Sequence, residues 1–245
     1  MNFRKVLAWG VHLYTALGLV AAAGIAVLVV RGGDASFRLA FLLMVIATVI
    51  DSTDGWLARR VGVKELTPGF DGRRLDDLTD FQTYTTLPLL LIWRAELVGA
   101  ENQWWLLVPL LASAYGFCQT QAKTADHYFL GFPSYWNVVA LYLYLWRLPE
   151  SWALGIILFL ALLTFVPSRY LYTSCGGPFS LATNLFAIGW AVLLLVILWQ
   201  WQHVSRTLLV VSLSFPAYYF ALSWLISLRY WRSESRSFKE TSSKL

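Results

Sequence analysis

Charged side chains are scarce in this chain, and cysteine and histidine are scarcer still. Only 13% of the 245 residues are Asp, Glu, Lys or Arg, whereas 58% are hydrophobic. Soluble globular domains carry about 25% charged residues, so this composition excludes that class and predicts an all-α polytopic membrane protein. The two cysteines lack the spacing of a metal site, and no disulfide framework is expected from them.

Long apolar runs supply the membrane spans. A spanning helix needs about 20 mostly apolar residues, and residues 133–167 are interpreted as two short spans. We predict a bundle of about eight transmembrane helices, over Val6–Val30, Phe37–Ile50, Phe81–Val98, Trp104–Gln121, Tyr135–Arg147, Trp152–Val166, Leu181–Trp201 and Leu208–Leu228. One catalytic transmembrane domain is expected over residues 1–230, followed by a basic, polar, disordered cytoplasmic tail over residues 231–245.

Basic residues are distributed unevenly between the two sides of such a bundle. With eight spans and both ends inside, fourteen of the nineteen Lys and Arg residues lie in cytoplasmic segments and five lie outside. This positive-inside bias places residues 51–80 at the cytoplasmic edge of the membrane. The net charge of +5 therefore indicates anionic lipid headgroups and an anionic substrate as partners, and no nucleic acid.

Half of the acidic residues fall in one short segment: seven of the fourteen lie between residues 51 and 80. Acidic groups next to hydrocarbon are costly and are rarely kept without a function. Asp51 and Asp54 are three residues apart and Asp76 and Asp80 are four apart, so each pair lies on one side of its helix. Two facing pairs would form an oxygen-lined pocket for two Mg²⁺ or Mn²⁺ ions.

Small residues and one cation accompany these acids. Gly55 and Ala58 remove side-chain bulk beside the first pair, and Gly72 does so beside the second. Arg59 lies one turn beyond Gly55 and supplies a cation suited to a phosphate oxygen. The combination suits a pyrophosphate that is held through metal ions.

Simpler interpretations apply to some of these residues. A solvated acidic loop between two helices explains Asp71 and Asp77, which we do not expect to bind metal. A cation transporter would carry its acids near the bilayer midplane and in two related halves, whereas this sequence clusters them at one edge. His12 and His203 lie at or near span ends, and we expect both to be incidental.

The order of the acids and glycines resembles the signature of the CDP-alcohol phosphatidyltransferase family, D-x-x-D-G-x-x-A-R, a spacer, and then G-x-x-x-D-x-x-x-D. The spacer, residues 60–71, has twelve residues, which is longer than usual in the family and similar to its bacterial choline-using members. Similarity to those members continues through residues 80–84, 114–137 and 165–172. The resemblance therefore covers most of the chain.

The resemblance implies a transferase of phospholipid biosynthesis in the bacterial inner membrane, with its site facing the cytoplasm. It implies transfer of the phosphatidyl group from CDP-diacylglycerol to choline, with release of CMP, and a homodimer by family similarity. It further implies that Asp80 is the general base on the acceptor hydroxyl. The metal ligands would be Asp51, Asp54, Asp76 and Asp80. The residues at the CDP moiety would be Asp54, Gly55, Ala58, Arg59 and Gly72.

The acceptor site is the less specific part of this interpretation. The quaternary ammonium of choline donates no ordinary hydrogen bond, so aromatic faces and a carboxylate are suited to hold it. The candidates for choline or a lipid phosphate are Tyr84, Tyr115, Lys123, Asp126, His127, Tyr135, Trp136 and Arg169. An aromatic belt at the membrane interface is the alternative explanation for the rings. Serine, glycerol phosphate and inositol are the alternative acceptors.

Overall fold

Helices make up nearly all of the computed structural model, which describes residues 3–120, 124, 128–171 and 180–242. Its internal contacts divide the chain into two units. The first unit comprises residues 1–117 and 134–161, and the second comprises residues 118–133 and 162–245. The single domain over residues 1–230 stays a prediction.

The elements comprise long and short helices and two short strands. In chain order they are α1 (Phe3–Arg31), α2 (Asp34–Val61), α3 (Val63–Leu66), α4 (Gly72–Asp80), α5 (Leu87–Arg94), α6 (Leu107–Cys118), β1 (Tyr128–Leu130), α7 (Trp136–Trp146), α8 (Glu150–Leu163), β2 (Arg169–Leu171), α9 (Ser180–Trp199), α10 (Arg206–Ser212) and α11 (Ser214–Ser242). A π-helix, Phe81–Thr86, joins α4 to α5, and 3₁₀-helices precede α6 and α10 at Ala100–Leu106 and Trp201–His203.

Four helical segments are long and apolar enough to cross a membrane. They are Phe3–Arg31, Asp34–Val61, Leu181–Trp199 and Arg206–Ser233, and α7 and α8 are shorter apolar helices. These six correspond to six of the predicted spans, and they confirm a multi-pass helical membrane protein. The third and fourth predicted spans differ, because α5 ends at Arg94 and α6 begins only at Leu107. The count of eight spans therefore stays a prediction.

Helix α2 continues past its apolar part, as the sequence predicts. Its last turns carry Asp51, Asp54 and Arg59, and it ends where Gly62 adopts a left-handed conformation with φ 74°. The Gly62 N–H donates to the carbonyl of Ala58 over 3.1 Å, which satisfies one of the last carbonyls of the helix. The first acid pair therefore stands on regular helix.

Residues 62–71, most of the spacer, are folded rather than extended. After Gly62, the chain forms the single turn α3, and Thr67 ends that turn with its N–H bound to the carbonyl of Val63. Asp71 then caps α4, because its side chain accepts a hydrogen bond of 3.2 Å from the N–H of Arg74. This capping gives Asp71 a structural task, in keeping with its exclusion from the expected metal ligands.

The second unit contains the only β-strands among the described residues. Strands β1 and β2 pair antiparallel, with Phe129 opposite Tyr170. The hydroxyl of Ser227 in α11 accepts a 2.7 Å hydrogen bond from the N–H of Arg169, so the helix satisfies backbone groups that the short ribbon leaves open. Helix α11 continues as far as Ser242, and the disordered tail over residues 231–245 stays a prediction.

Candidate active site

Three carboxylates converge between α2 and α4 in the first unit. Asp51, Asp76 and Asp80 each place one oxygen within 4.8 Å of the other two. Each of these residues is partly buried. Asp76 and Asp80 meet because they are one turn apart on α4, whereas Asp51 reaches them from α2. An all-oxygen set of this kind fits Mg²⁺ or Mn²⁺, and it offers neither the nitrogen nor the sulfur ligands that favour zinc.

Asp54 lies outside this group of three and is the most buried of the four aspartates. Its exposed fraction is 6%, and its Oδ2 accepts a 2.8 Å hydrogen bond from the hydroxyl of Thr15 in α1. A buried carboxylate is stable only when hydrogen bonds or a cation compensate for its lost hydration. Asp54 lies one turn beyond Asp51 on α2. Its role as a metal ligand stays a prediction.

Tyr84 joins the acid cluster directly. Its hydroxyl donates a 2.7 Å hydrogen bond to Oδ2 of Asp51, and its side chain is buried. The residue lies in the π-helix that follows Asp80, and such local π geometry is frequent at functional sites because it redirects side chains within a helix. The ring of Tyr135 lies 6.2 Å from that of Tyr84. One predicted acceptor residue, Tyr84, therefore contacts a carboxylate, and a second, Tyr135, lies beside its ring.

The small residues of the motif lie close to specific neighbours. A Cβ added at Gly55 would lie 3.4 Å from Nη1 of Arg59, so the exposed Arg59 guanidinium runs alongside Gly55. Ala58 packs against a core cluster that includes Val63. A Cβ added at Gly72 would lie 2.7 Å from the ring of His12. Gly55 thus permits close approach of the Arg59 guanidinium, and Gly72 permits close approach of the His12 ring.

The remaining acceptor candidates are dispersed. Tyr115 is 47% exposed, whereas Trp136 is fully buried and its indole N–H donates to the hydroxyl of Ser113 over 2.8 Å. Arg169 belongs to the second unit, where its guanidinium carbon lies 3.5 Å from the ring centre of Tyr230. Three others, Lys123, Asp126 and His127, lie outside the described residues. Their proposed contacts with choline or phosphate stay predictions.

A row of polar and small residues on the buried face of α1 was not predicted from the sequence. His12, Thr15 and Gly18 recur every three residues on the buried face of an otherwise apolar helix. Thr15 binds Asp54, and Gly18 leaves room for Thr79, whose methyl group a Cβ at residue 18 would overlap. The available signal was the spacing itself, because polar residues repeating along one face of a spanning helix point toward the bundle interior.

Comparison with known proteins agrees with this geometry. The family model described as CDP-alcohol phosphatidyltransferase matches residues 12–167. A phosphatidylcholine synthase of Borreliella burgdorferi is 35% identical over 174 residues, which cover 71% of this chain and 73% of the relative. A phosphatidylcholine synthase of Pseudomonas aeruginosa is 38% identical and covers 69% and 70%, and one of Legionella bozemanae is 33% identical and covers 76% and 89%.

Proposed function

Because the chain belongs to the CDP-alcohol phosphatidyltransferase family, we propose that it is a phosphatidylcholine synthase, a CDP-diacylglycerol–choline O-phosphatidyltransferase. It would transfer the phosphatidyl group of CDP-diacylglycerol to choline and release CMP. The observation that carries this proposal is the convergence of Asp51, Asp76 and Asp80 within 4.8 Å, on the two helices that bear the family motif. The consistent naming of the relatives supports choline as the acceptor.

Four aspartates are proposed to hold two divalent ions, Mg²⁺ or Mn²⁺. Three of them already converge, and Asp54 stands one turn from Asp51 with one oxygen held by Thr15. The chemistry of such ions, when bound, is to neutralise the charge of the pyrophosphate and to orient its oxygens. The chain's own contribution is to supply four hard oxygen ligands from two helices at the edge of the first unit.

Asp80 is proposed to act also as the general base. An alcohol is a weak nucleophile, so removing its proton as the new bond forms lowers the barrier. In this step the choline hydroxyl transfers its proton to a carboxylate oxygen of Asp80, and its oxygen bonds to the phosphorus of the phosphatidyl group. The bond from that phosphorus to the CMP oxygen breaks, and the electron pair leaves with CMP.

The nucleotide is proposed to lie along the motif residues of α2 and the start of α4. Gly55 and Ala58 present little bulk on α2, Arg59 supplies a cation beside Gly55, and Gly72 opens α4. A guanidinium matches two phosphate oxygens at once, which a lysine does not. The exposure of Arg59 supports its access to the nucleotide headgroup of CDP-diacylglycerol, which lies in water at the membrane surface.

Choline is proposed to bind beside Tyr84 and Tyr135, whose rings are 6.2 Å apart next to Asp51. Aromatic faces attract a quaternary ammonium through the ring quadrupole, and nearby carboxylates strengthen that attraction. The proposal extends to the other predicted residues, Tyr115, Lys123, Asp126, His127, Trp136 and Arg169. The eight-span arrangement, the cytoplasmic site, the bacterial inner membrane and a homodimer are likewise proposed from the resemblance and the distribution of charge.

A competition assay among acceptors tests the proposed function. Purified chain in vesicles with Mn²⁺ or Mg²⁺ receives CDP-diacylglycerol together with equimolar choline, serine, glycerol phosphate and inositol. We expect phosphatidylcholine as the main lipid product and an equal amount of CMP. Good turnover with another acceptor and none with choline would overturn the choice of acceptor. Cation flux into vesicles without any lipid product would instead support a transporter.

A further inference from the structure

His12 is bound to the segment that separates the two halves of the acidic motif. It is only 5% exposed on α1, and its Nε2 lies 2.9 Å from the hydroxyl oxygen of Thr67. That hydroxyl donates its single proton to the carbonyl of Val63 over 2.9 Å. Because the hydroxyl proton is used in that bond, the Thr67 oxygen is the acceptor of the hydrogen bond that the His12 ring donates from Nε2. His12 therefore holds the residue at which α3 ends.

Two aromatic rings complete this attachment. The ring centre of His12 lies 4.4 Å from that of Phe70 and 5.5 Å from that of Trp9, and Trp9 and Phe70 are 5.3 Å apart. Aromatic pairs in tilted or edge-on contact at such distances stabilise the packing beyond the effect of the area that they bury. Phe70 lies two residues before Gly72, so the three rings tie α1 to the chain just ahead of α4.

Gly72 lies against the same His12 ring. A Cβ at residue 72 would lie 2.7 Å from Cε1 of His12 and 3.0 Å from Nδ1. Non-bonded carbon atoms approach to about 3.5–4.0 Å, so any side chain at residue 72 would require the ring to move. The ring is held by the Thr67 hydroxyl and by Phe70, and moving it would therefore break both contacts.

This contact lies at the start of the helix that bears two of the clustered carboxylates. Asp76 and Asp80 follow Gly72 by one and two turns of α4. A change in the position of Gly72 is therefore transmitted to both acids through nine residues of continuous helix. In active sites a displacement of about 1 Å can reduce turnover about 10²-fold.

We propose that His12 is a positioning residue that sets the place of α4, and that residue 72 is glycine because the His12 ring occupies the space of its side chain. His12 acts through Thr67 and Gly72 rather than by touching substrate. The inference rests on the proposed function, and it explains the glycine of the second half-motif by packing within the chain, while the backbone of Gly72 remains available to the nucleotide.

A paired substitution tests the steric part of the proposal. Gly72→Ala is expected to lower kcat about 10²-fold, and His12→Ala about tenfold. The double variant is expected to be at least tenfold more active than Gly72→Ala alone, because the added methyl group enters the space that the ring vacates. A double variant no more active than Gly72→Ala would overturn the proposal, since the methyl group would then act on something other than His12.

A second pair tests the hydrogen bond. His12→Gln keeps an N–H donor near the position of Nε2, whereas His12→Phe keeps the ring and loses the donor. We expect His12→Gln to retain at least a third of wild-type kcat and His12→Phe to lose about fivefold in kcat with an unchanged KM for choline, because only His12→Phe loses the hydrogen bond. Equal kcat for the two variants, or a change confined to KM, would overturn the positioning role.

Binding of Mn²⁺ alone, followed by electron paramagnetic resonance without any substrate, separates this inference from the proposed function. His12→Phe and Gly72→Ala are expected to weaken Mn²⁺ binding several-fold, and Ile25→Val, on the same buried face of α1, serves as the control for lost stability. If the wild-type chain makes no phosphatidylcholine but His12→Phe and Gly72→Ala still weaken Mn²⁺ binding, choline is not the acceptor and the inference stands. If wild type is active and Mn²⁺ binding is unaltered in both variants, the inference fails.

Discussion

The hydroxyl of Tyr84 donates a 2.7 Å hydrogen bond to Oδ2 of Asp51, two residues that are 33 positions apart in the chain. This bond links the acid of α2 to the π-helix that follows Asp80, so it joins the two halves of the motif at the carboxylates themselves. A ligand carboxylate that is oriented by a neutral donor keeps its position without losing its charge. Tyr84 is thus placed to support Asp51.

Replacing Tyr84 by Phe tests this support. The variant keeps the ring and loses the hydrogen bond, and removal of such a supporting partner typically costs about 10–100-fold in metal affinity or activity. We expect the Mn²⁺ concentration for half-maximal activity to rise about tenfold. Tyr14→Phe is the matched control, because the Tyr14 hydroxyl pairs with the Thr53 hydroxyl rather than with an acid. An unaltered metal requirement in Tyr84→Phe would contradict the supporting role.

Replacing Asp80 by Asn tests the proposed base. The amide keeps the size of the side chain but accepts no proton, so turnover is expected to fall about 10²–10⁴-fold while CDP-diacylglycerol binding changes less. Single-turnover assays and a lipid-binding titration measure the two effects separately. Asp77→Asn, on the same helix but outside the cluster of three, is expected to stay near wild-type activity. An active Asp80→Asn enzyme would remove the role of base.

Replacing Thr15 by Val tests the hydrogen bond to buried Asp54. The variant preserves volume but leaves a carboxylate oxygen without its 2.8 Å donor. Loss of such a partner is expected to lower the free energy of unfolding by about 1–3 kcal/mol. Thr15→Ser retains the hydroxyl and should unfold within about 1 kcal/mol of wild type. Thermal unfolding in detergent measures both, and equal stability of Thr15→Val and wild type would show that the bond is dispensable.

Removal of divalent ions tests whether the clustered aspartates bind a metal ion. Chelation should abolish product formation, and Mg²⁺ or Mn²⁺ should restore it, because carboxylate oxygens suit hard cations. Zn²⁺ at the same free concentration is expected to restore little activity, since the cluster offers no nitrogen or sulfur ligand. Activity that persists after exhaustive chelation would contradict a metal role for Asp51, Asp76 and Asp80.

The local features of the site were open to prediction because they depend on residues close together in the chain. The pairing of Asp76 with Asp80 on one helix face and the continuation of α2 beyond Ile50 both follow from helix periodicity. The long apolar helices followed likewise from composition.

By itself, then, the sequence determined a helical membrane protein with two acid-bearing helices and a recognisable family motif. Only the tertiary structure decided which partners meet those acids: Thr15 with Asp54 across 39 positions, Tyr84 with Asp51 across 33, and His12 with Thr67 across 55. Such pairs depend on how helices rotate and pack, and helical periodicity constrains one helix face without naming its neighbour. The sequence suggested that His12 is incidental. Its proposed positioning role follows only from the packing of α1 against the segment that leads into α4.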